Sequence, residues 1–313
     1  MKRNGDFISI VIPIYNENQV ITELYGQLNS VLSNLKIAGW EIIFVDDGST
    51  DGSWESIGKL NSLNDKVRGI KLSKNFGHQF AISAGLDYVK GNAVIMMDAD
   101  LQHPPELIPK LIEKWEEGYD IVYTVREDTG SESLFKRVTS RFFYNIFNKL
   151  SKSNIPYGAA DFRLLDETVV IQLKSFKERV RFLRGIINWV GYKKIGVSYA
   201  AQERFQGKSK YSFLKMVHLA ISGIISFSSA PLYISAILGI VIAGLSFFYG
   251  LYAILVRIFT EKTMPGWTSI LVSMLFLGGV QLIAIGILGE YLAKVYEEVK
   301  GRPLYIVDKK IGF

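Results

Sequence analysis

Through the first 125 residues, short apolar runs alternate with longer helical stretches. The runs predict strands at Ile8–Ile14, Trp40–Val45, Val67–Leu72, Ala93–Met97 and Ile121–Val125. Between them, helices are predicted at Glu17–Lys36, Ser53–Asn64, Gln79–Val89 and Pro105–Glu117. Strands and helices alternating in this way form βαβ units around a mainly parallel sheet. Asp51 or Ser53 can cap the second helix, and Pro105-Glu106 places a proline and an acid in a first turn. Beyond Val125 the pattern changes. A polar loop from Arg126 to Ser133 precedes a helix at Leu134–Leu150 that is rich in aromatics: Phe135, Phe142, Phe143, Tyr144 and Phe147. Tyr157 to Asp161 reads as a tight turn of small residues, followed by helices at Glu167–Ser175 and Glu178–Val190 and a strand at Ile195–Ala201. Lys210–Ser228 reads as an amphipathic helix lying on a membrane surface.

The C-terminal third differs in kind. No charged residue occurs from Leu219 to Val256, nor from Thr263 to Gly289. Each run exceeds the roughly 20 residues that cross a bilayer core. Spans are expected near Pro231–Val256 and Trp267–Tyr291, with Trp267 and Tyr291 as interfacial anchors. The expected division is an α/β domain over 1–209, a juxtamembrane helix over 210–229, a first span over 230–257, a hairpin over 258–266, a second span over 267–292 and a tail over 293–313. Lys2 and Arg3 precede a short apolar run that leads into Asn16-Glu17-Asn18, so the N-terminus reads as a first strand and not as a signal peptide.

Charge then sets the expected orientation. The formal net charge is +6, with basic clusters at Arg126–Lys152, at Arg204–Lys215 and after the spans, whereas the hairpin carries only Arg257 and Lys262 against Glu261. The positive-inside rule therefore puts the large domain and both termini in the cytoplasm. The bilayer accounts for the basic excess, which argues against nucleic acid as the partner. There is no cysteine, which is compatible with a reducing compartment.

Two acidic clusters end predicted strands: Asp46-Asp47-Gly48-Ser49 and Asp98-Ala99-Asp100. The carboxyl edge of a parallel sheet is where ligands bind. Such carboxylates repel unless a cation or donor lies between them, and a hard divalent ion carrying a diphosphate meets that need. Asp-Asp-Gly-Ser is also good turn chemistry, but both clusters on successive units of one domain favour a site. No Rossmann glycine fingerprint or P-loop lysine motif is present.

The segments IPIYNE, VDDGSTDGS, KNFGHQFAISAG and DADLQHPPE, in that order, resemble glycosyltransferase family 2, and within it the polyprenyl-phosphate hexose transferases. The resemblance extends through the two C-terminal spans. It implies a GT-A catalytic domain, Rossmann-like with a mainly parallel sheet, using Mg²⁺ or Mn²⁺. It implies Asp100 and Gln102 as direct metal ligands, with Asp98 beside them and nearer the sugar. Pro13, Tyr15, Glu17, Asp46, Asp47, Asn75, Gly77, Asp98 and Ala99 are implied for the nucleotide sugar. His78 opens a helix after the third strand, near the nucleotide or as a structural start. His103 reads better as a turn residue than as a ligand of a hard metal.

Asp161 matches the position assigned as catalytic base in this fold, with Asp98 the second catalytic carboxylate. A lipid monophosphate, however, has a second pKa of about 6 and is already largely anionic at neutral pH. Asp161 could therefore orient an arginine or the sugar hydroxyls instead. Arg126, Arg137, Arg141, Arg204 and Lys208 are candidates for the acceptor phosphate, or for lipid headgroups. The Gln-x-x-Arg-Trp pattern of processive synthases is absent, since Phe205 and Gln206 occupy its last positions. The expected reaction moves one hexose, first of all glucose from UDP-glucose, to undecaprenyl phosphate. GDP-mannose, UDP-N-acetylglucosamine and an amino-pentose donor stay open. Rival readings are a transferase acting directly on a glycolipid or surface glycan, and a non-enzymatic membrane partner of a flippase. Leu304–Val307 is a candidate strand for pairing with a neighbouring subunit, and so for a homo-oligomer.

Overall fold

The near-continuous apolar sequence of β1 (Phe7–Ile14) and β2 (Gly39–Asp46) marks them as strands covered on both faces, and all but the first residue of each is buried. In the computed structural model, which describes residues 7–126, 158–179, 181–199, 225, 228–260 and 266–313, they form the centre of an eight-stranded sheet. Its order is β7-β5-β6-β4-β1-β2-β3-β8. The remaining strands are β3 (Val67–Leu72), β4 (Ala93–Met96), β5 (Ile121–Arg126), β6 (Ala159–Asp166), β7 (Lys194–Tyr199) and β8 (Val307–Ile311). β1 pairs in parallel with β2 and β4, β2 with β3, and β5 with β7. β6 runs antiparallel between β4 and β5, and β8 antiparallel beside β3.

One face is covered by α1 (Asn18–Ser33), α2 (Ser53–Leu63) and α4 (Ile108–Glu116). Ile21, Leu24, Leu28 and Leu32 of α1, with Ile108, Leu111 and Trp115 of α4, pack with Ile8, Ile10, Ile12 and Ile14 of β1 in one core. The i, i+3, i+4 spacing of these helix residues is what makes a single buried stripe. Against the opposite face lies α3 (His78–Tyr88), which comes so close that a Cβ on Gly85 would sit 2.3 Å from Val11 Cγ1. α3 is backed by α5 (Glu167–Ser175), and α5 by α6 (Leu183–Trp189).

Every strand and helix expected within the first 125 residues is present, with ends shifted by a few residues. α1 stops at Ser33, β4 stops at Met96, and a 3-10 turn at Pro105–Leu107 precedes α4. Three expectations after Val125 need correction. The turn of small residues is confined, within the described residues, to Gly158 at φ +77°, and the chain from Ala159 on is a strand. α6 begins only at Leu183 instead of Glu178. The tail strand lies at Val307–Ile311 and pairs with β3 of the same chain, with Ser73 N–H donating to Ile306 O at 2.9 Å. The predicted helix at 134–150 lies outside the described residues, as does 210–228 except for Ile225 and Ser228.

The chain divides into two compact units, 1–211 with 302–313, and 212–301. The second holds α7 (Ala230–Thr260) and α8 (Trp267–Val299). Both are long and apolar enough to cross a membrane, over Ala230–Val256 and Ser269–Val299. Their large apolar side chains, among them Ile240, Phe247, Met274 and Leu282, face outward. Within this unit Tyr291 donates a hydrogen bond to Ser228 O at 2.5 Å.

Candidate active site

Parallel strands β1 to β4 deliver their following loops to one edge, and hydrogen bonds lace those loops together. Asn16, at φ 54°, accepts from Thr50 N–H through its side chain at 2.9 Å, while its own N–H donates to Ser49 Oγ at 2.9 Å. Glu17 N–H donates to Ser53 Oγ at 3.2 Å, and Asn18 N–H to Asp51 Oδ2 at 3.0 Å. The fully buried Asp46 accepts from Ser49 N–H at 2.8 Å and faces Lys71 Nζ at 3.9 Å. It holds the turn of its own loop. Asp47 accepts from Phe76 N–H at 2.7 Å and from Gly77 N–H at 2.8 Å, one on each oxygen. Burial pushes its pKa up, and the two N–H groups pull against that. Between these two contacts Gly48, at φ +73°, passes so near the next loop that a Cβ would lie 2.5 Å from the Lys74 carbonyl carbon. The result is one wall, with Pro13 buried in β1 and with Tyr15 and Asn75 exposed at its rim.

The second carboxylate cluster is held from two sides. His78 Nε2 lies 2.7 Å from Asp98 Oδ1, and Asp98 N–H donates to His103 Nδ1 at 3.1 Å. His103 is buried and stacks on Phe162 with ring centroids 5.2 Å apart, which makes it a pin for the turn. Burial opposes the charge on both partners of the His78–Asp98 pair. Their mutual attraction outweighs it, so the His78 pKa is raised and the Asp98 pKa lowered. Asp100 Oδ1 accepts from Gln102 N–H at 3.2 Å, across Leu101 at φ 58°. Leucine rarely adopts that conformation, and such strain persists where the surroundings over-determine it, often at ligand clamps. Among the described residues no group of three or more histidines and carboxylates is gathered around a metal position. The donors at this turn, the Asp100 carboxylate and the Gln102 amide oxygen, still suit a hard divalent ion, because Mg²⁺ takes one or two carboxylates and completes its shell from phosphates and water.

β6 brings in the third carboxylate. Met96, the last residue of β4, is paired with Arg163 of β6, and two residues beyond that pair lie Asp98, past the end of β4, and Asp161, within β6. The Asp161 carboxylate receives a two-point fork from Arg184, Nε to Oδ1 at 3.1 Å and Nη2 to Oδ2 at 2.9 Å. Arg163 Nη2 adds a contact to Oδ1 at 3.3 Å and donates to Ala160 O at 2.7 Å. Burial alone would raise the Asp161 pKa, but the charges of Arg184 and Arg163 overcome it and bring it down to about 2.

Of the phosphate-binding candidates, Arg126 ends β5, with its N–H donating to Gly158 O at 3.0 Å. Its charge and those of Asp98 and Asp100 act on the phenol of the buried Tyr199, whose pKa is pushed up by burial. Arg137, Arg141, Arg204 and Lys208 lie outside the described residues. Arg163 and Arg184 are the site cations that the sequence reading missed. Arg163 is two residues from Asp161, which in a strand means the same face. Recognising β6 would have exposed it. Arg184 meets Asp161 only through the tertiary fold and has no local signal.

An open, mainly parallel sheet with carboxylates at its carboxyl edge defines an α/β domain of the kind that binds ligands outside the ends of its strands. The pattern of Glycosyl transferase family 2 matches residues 9–174. The chain belongs to that family. It is 43% identical over 304 residues to the uncharacterized glycosyltransferase YkcC of Bacillus subtilis, covering 97% of this chain and 94% of that one. It is 42% identical over 302 residues to the SfII prophage-derived bactoprenol glucosyl transferase of Shigella flexneri, covering 96% and 97%. Among solved structures, the mannosyltransferase PcManGT of Pyrobaculum calidifontis, in complex with GDP-Man and Mn²⁺, superposes with a TM-score of 0.50 at 15% identity, covering 93% of this chain and 84% of that one. That likeness is one of fold, and the fold is the GT-A type.

Proposed function

We propose that this protein is a membrane-anchored, metal-dependent, inverting transferase that moves one glucose from UDP-glucose to a polyprenyl phosphate. The observation that carries the reading is near full-length similarity, at 42% identity over 302 residues, to a bactoprenol glucosyl transferase. The laced loops after β1, β2 and β3 support it as a wall for a nucleotide, and Tyr15, Glu17, Asn75 and Gly77 are the residues assigned to that ligand. Asp100 and Gln102 would hold Mg²⁺ or Mn²⁺, with Asp98 oriented beside them by His78. The bound ion supplies neutralisation of the charge that develops on the departing diphosphate.

In the reaction an acceptor phosphate oxygen bonds to the anomeric carbon while the bond from that carbon to the diphosphate breaks and UDP departs. Attack opposite the leaving group inverts the anomeric centre. No proton need be removed, since the phosphate is already largely a dianion above its second pKa of about 6. The chain leaves the catalytic unit before residue 212 and rejoins it at Arg302. Two intervening spans would return it to the same side, so the reading places the catalytic domain and both termini in the cytoplasm.

The test is a donor panel with undecaprenyl phosphate in membranes containing the full chain. Glucose from UDP-glucose should enter the lipid fraction as a mild-acid-labile product. EDTA should stop transfer and Mn²⁺ or Mg²⁺ restore it. Asp100→Ala should lower transfer by at least about 100-fold, as expected for loss of electrostatic stabilisation at a transition state. Product in an acid-stable glycan, or activity untouched by Asp100→Ala, would overturn the reading.

A further inference from the structure

The Asp161–Arg184 pair is built for a purpose other than proton transfer. A general base needs a pKa near the working pH and an oxygen directed at the proton it takes. Both oxygens of Asp161 are instead engaged by guanidinium groups, with Arg184 spanning the carboxylate edge to edge at 3.1 and 2.9 Å. Two arginines face this one carboxylate at the start of β6. They are not equivalent. The Arg163 side chain is 2% exposed and tied to a backbone carbonyl, whereas that of Arg184 is 23% exposed. The charges of Asp161 and Arg184 both act on His78, the partner of Asp98. The pair therefore borders the carboxylate turn where the sugar is transferred in the proposed reaction.

We infer that Arg184 receives the phosphate of the acceptor, and that Asp161 is a positioning residue that sets the plane of the Arg184 guanidinium. This rests on the proposed transfer to a lipid phosphate and names the residue that binds that group. A planar guanidinium fixed along one edge presents charge and donors in a defined direction, which suits a tetrahedral oxyanion better than a mobile lysine would. A fixed fork also costs the incoming phosphate little ordering entropy.

The experiment uses the full-length protein in lipid nanodiscs with undecaprenyl phosphate and radiolabelled UDP-glucose, measuring kcat and the KM of each substrate from pH 6 to 9. Arg184→Gln should raise the acceptor KM by at least about 10-fold and leave the UDP-glucose KM within about 3-fold of wild type, the split expected for lost acceptor binding. Arg184→Lys, with charge but no fork, should recover part of the loss. Asp161→Asn should follow Arg184→Gln in acceptor KM and keep a pH profile parallel to wild type. The double variant should be no worse than the worse single one, since the residues act as a unit. If Arg184→Gln lowers the melting temperature too far for assay, Arg184→Lys decides alone: an unchanged acceptor KM overturns the proposal. So does an Asp161→Asn enzyme that loses kcat with an unchanged acceptor KM and an altered pH profile. If wild type forms no lipid-linked sugar while a UDP-glucose binding assay shows a folded site, the functional reading fails first and this inference falls with it.

Discussion

A carboxylate clasped by two guanidinium groups keeps its charge far into acid. The pKa of Asp161 is about 2 in the fold against 3.8 for an unperturbed aspartate. Between those values the unfolded chain binds the proton more readily than the folded one, so stability rises with pH across that window. The contribution, about 2 kcal/mol from a shift of this size, is complete above pH 3.8 and is lost as pH falls toward 2. Denaturant unfolding from pH 5 down to 2.5 should show a steeper acid loss in wild type than in Asp161→Asn, and the two should run parallel above pH 5. Gly48 carries a prediction of a different kind. Its φ of +73° and a Cβ position 2.5 Å from a backbone carbon of the next loop leave no room for a methyl group. Gly48→Ala should cost at least about 2 kcal/mol in strain and displaced backbone. Melting curves with and without UDP should show both the lower stability and a weakened response to nucleotide. These two residues also divide the site by legibility. The Asp-Asp-Gly-Ser and Asp-Ala-Asp turns could be read because they interrupt apolar runs at strand ends. Arg184 could not, because its partner is distant in sequence and joins it only when β6 is laid beside β4.

At the level of elements, β1 to β5 were visible because each is an apolar run closed by turn residues. β6 was not, since Ala159-Ala160-Asp161-Phe162-Arg163-Leu164-Leu165-Asp166 has no period of two and carries three charges. Its strand state comes from two antiparallel neighbours, β4 and β5, and from burial of Arg163. β8 was misplaced by a few residues for a related reason. Val307-Asp308-Lys309-Lys310-Ile311 is an edge strand, with its charged side chains exposed and only Val307 and Ile311 partly covered. Lysines on an edge discourage pairing with a further strand. The tail is fastened by more than its ladder: Phe313 meets the Tyr88 ring edge-on at 5.3 Å, Arg68 lies over the Phe313 ring at 5.4 Å, and the Tyr305 hydroxyl donates to Asp87. These contacts grip β3 and α3, the elements whose junction supplies the N–H groups that hold Asp47. Deleting residues 302–313 should therefore lower the melting temperature of the catalytic unit by roughly 5–10 °C, corresponding to a loss of about 3 kcal/mol for a domain of this size. It should also weaken UDP binding. An unchanged melting curve would mean that the tail adds nothing to the sheet.

For the molecule as a whole, the return of the tail to the catalytic sheet constrains how the chain can meet a bilayer. β3 and β8 belong to one sheet, yet α7 and α8 intervene between them in sequence. If both helices cross, the catalytic unit stays on one side and only the short connection near residues 261–265 reaches the other. If neither crosses, or both lie in the interface, that connection stays with the catalytic unit. The natural chain contains no cysteine, so a single introduced thiol reports on one place without background. Thr263→Cys marks the connection, and Lys309→Cys marks the exposed edge strand. In right-side-out bacterial vesicles, an impermeant maleimide should label Cys at position 263 and spare position 309; inverted vesicles should reverse the pattern. Both variants should retain glucosyl transfer, which shows that the labelled protein is the working one. Labelling of both positions from the same side would exclude the hairpin, and labelling of both from outside would also exclude the cytoplasmic placement of the site. The opposite pattern, with position 309 reached from outside, would keep two crossings but put the catalytic edge where nucleotide sugars are scarce, and the proposed donor would have to be abandoned.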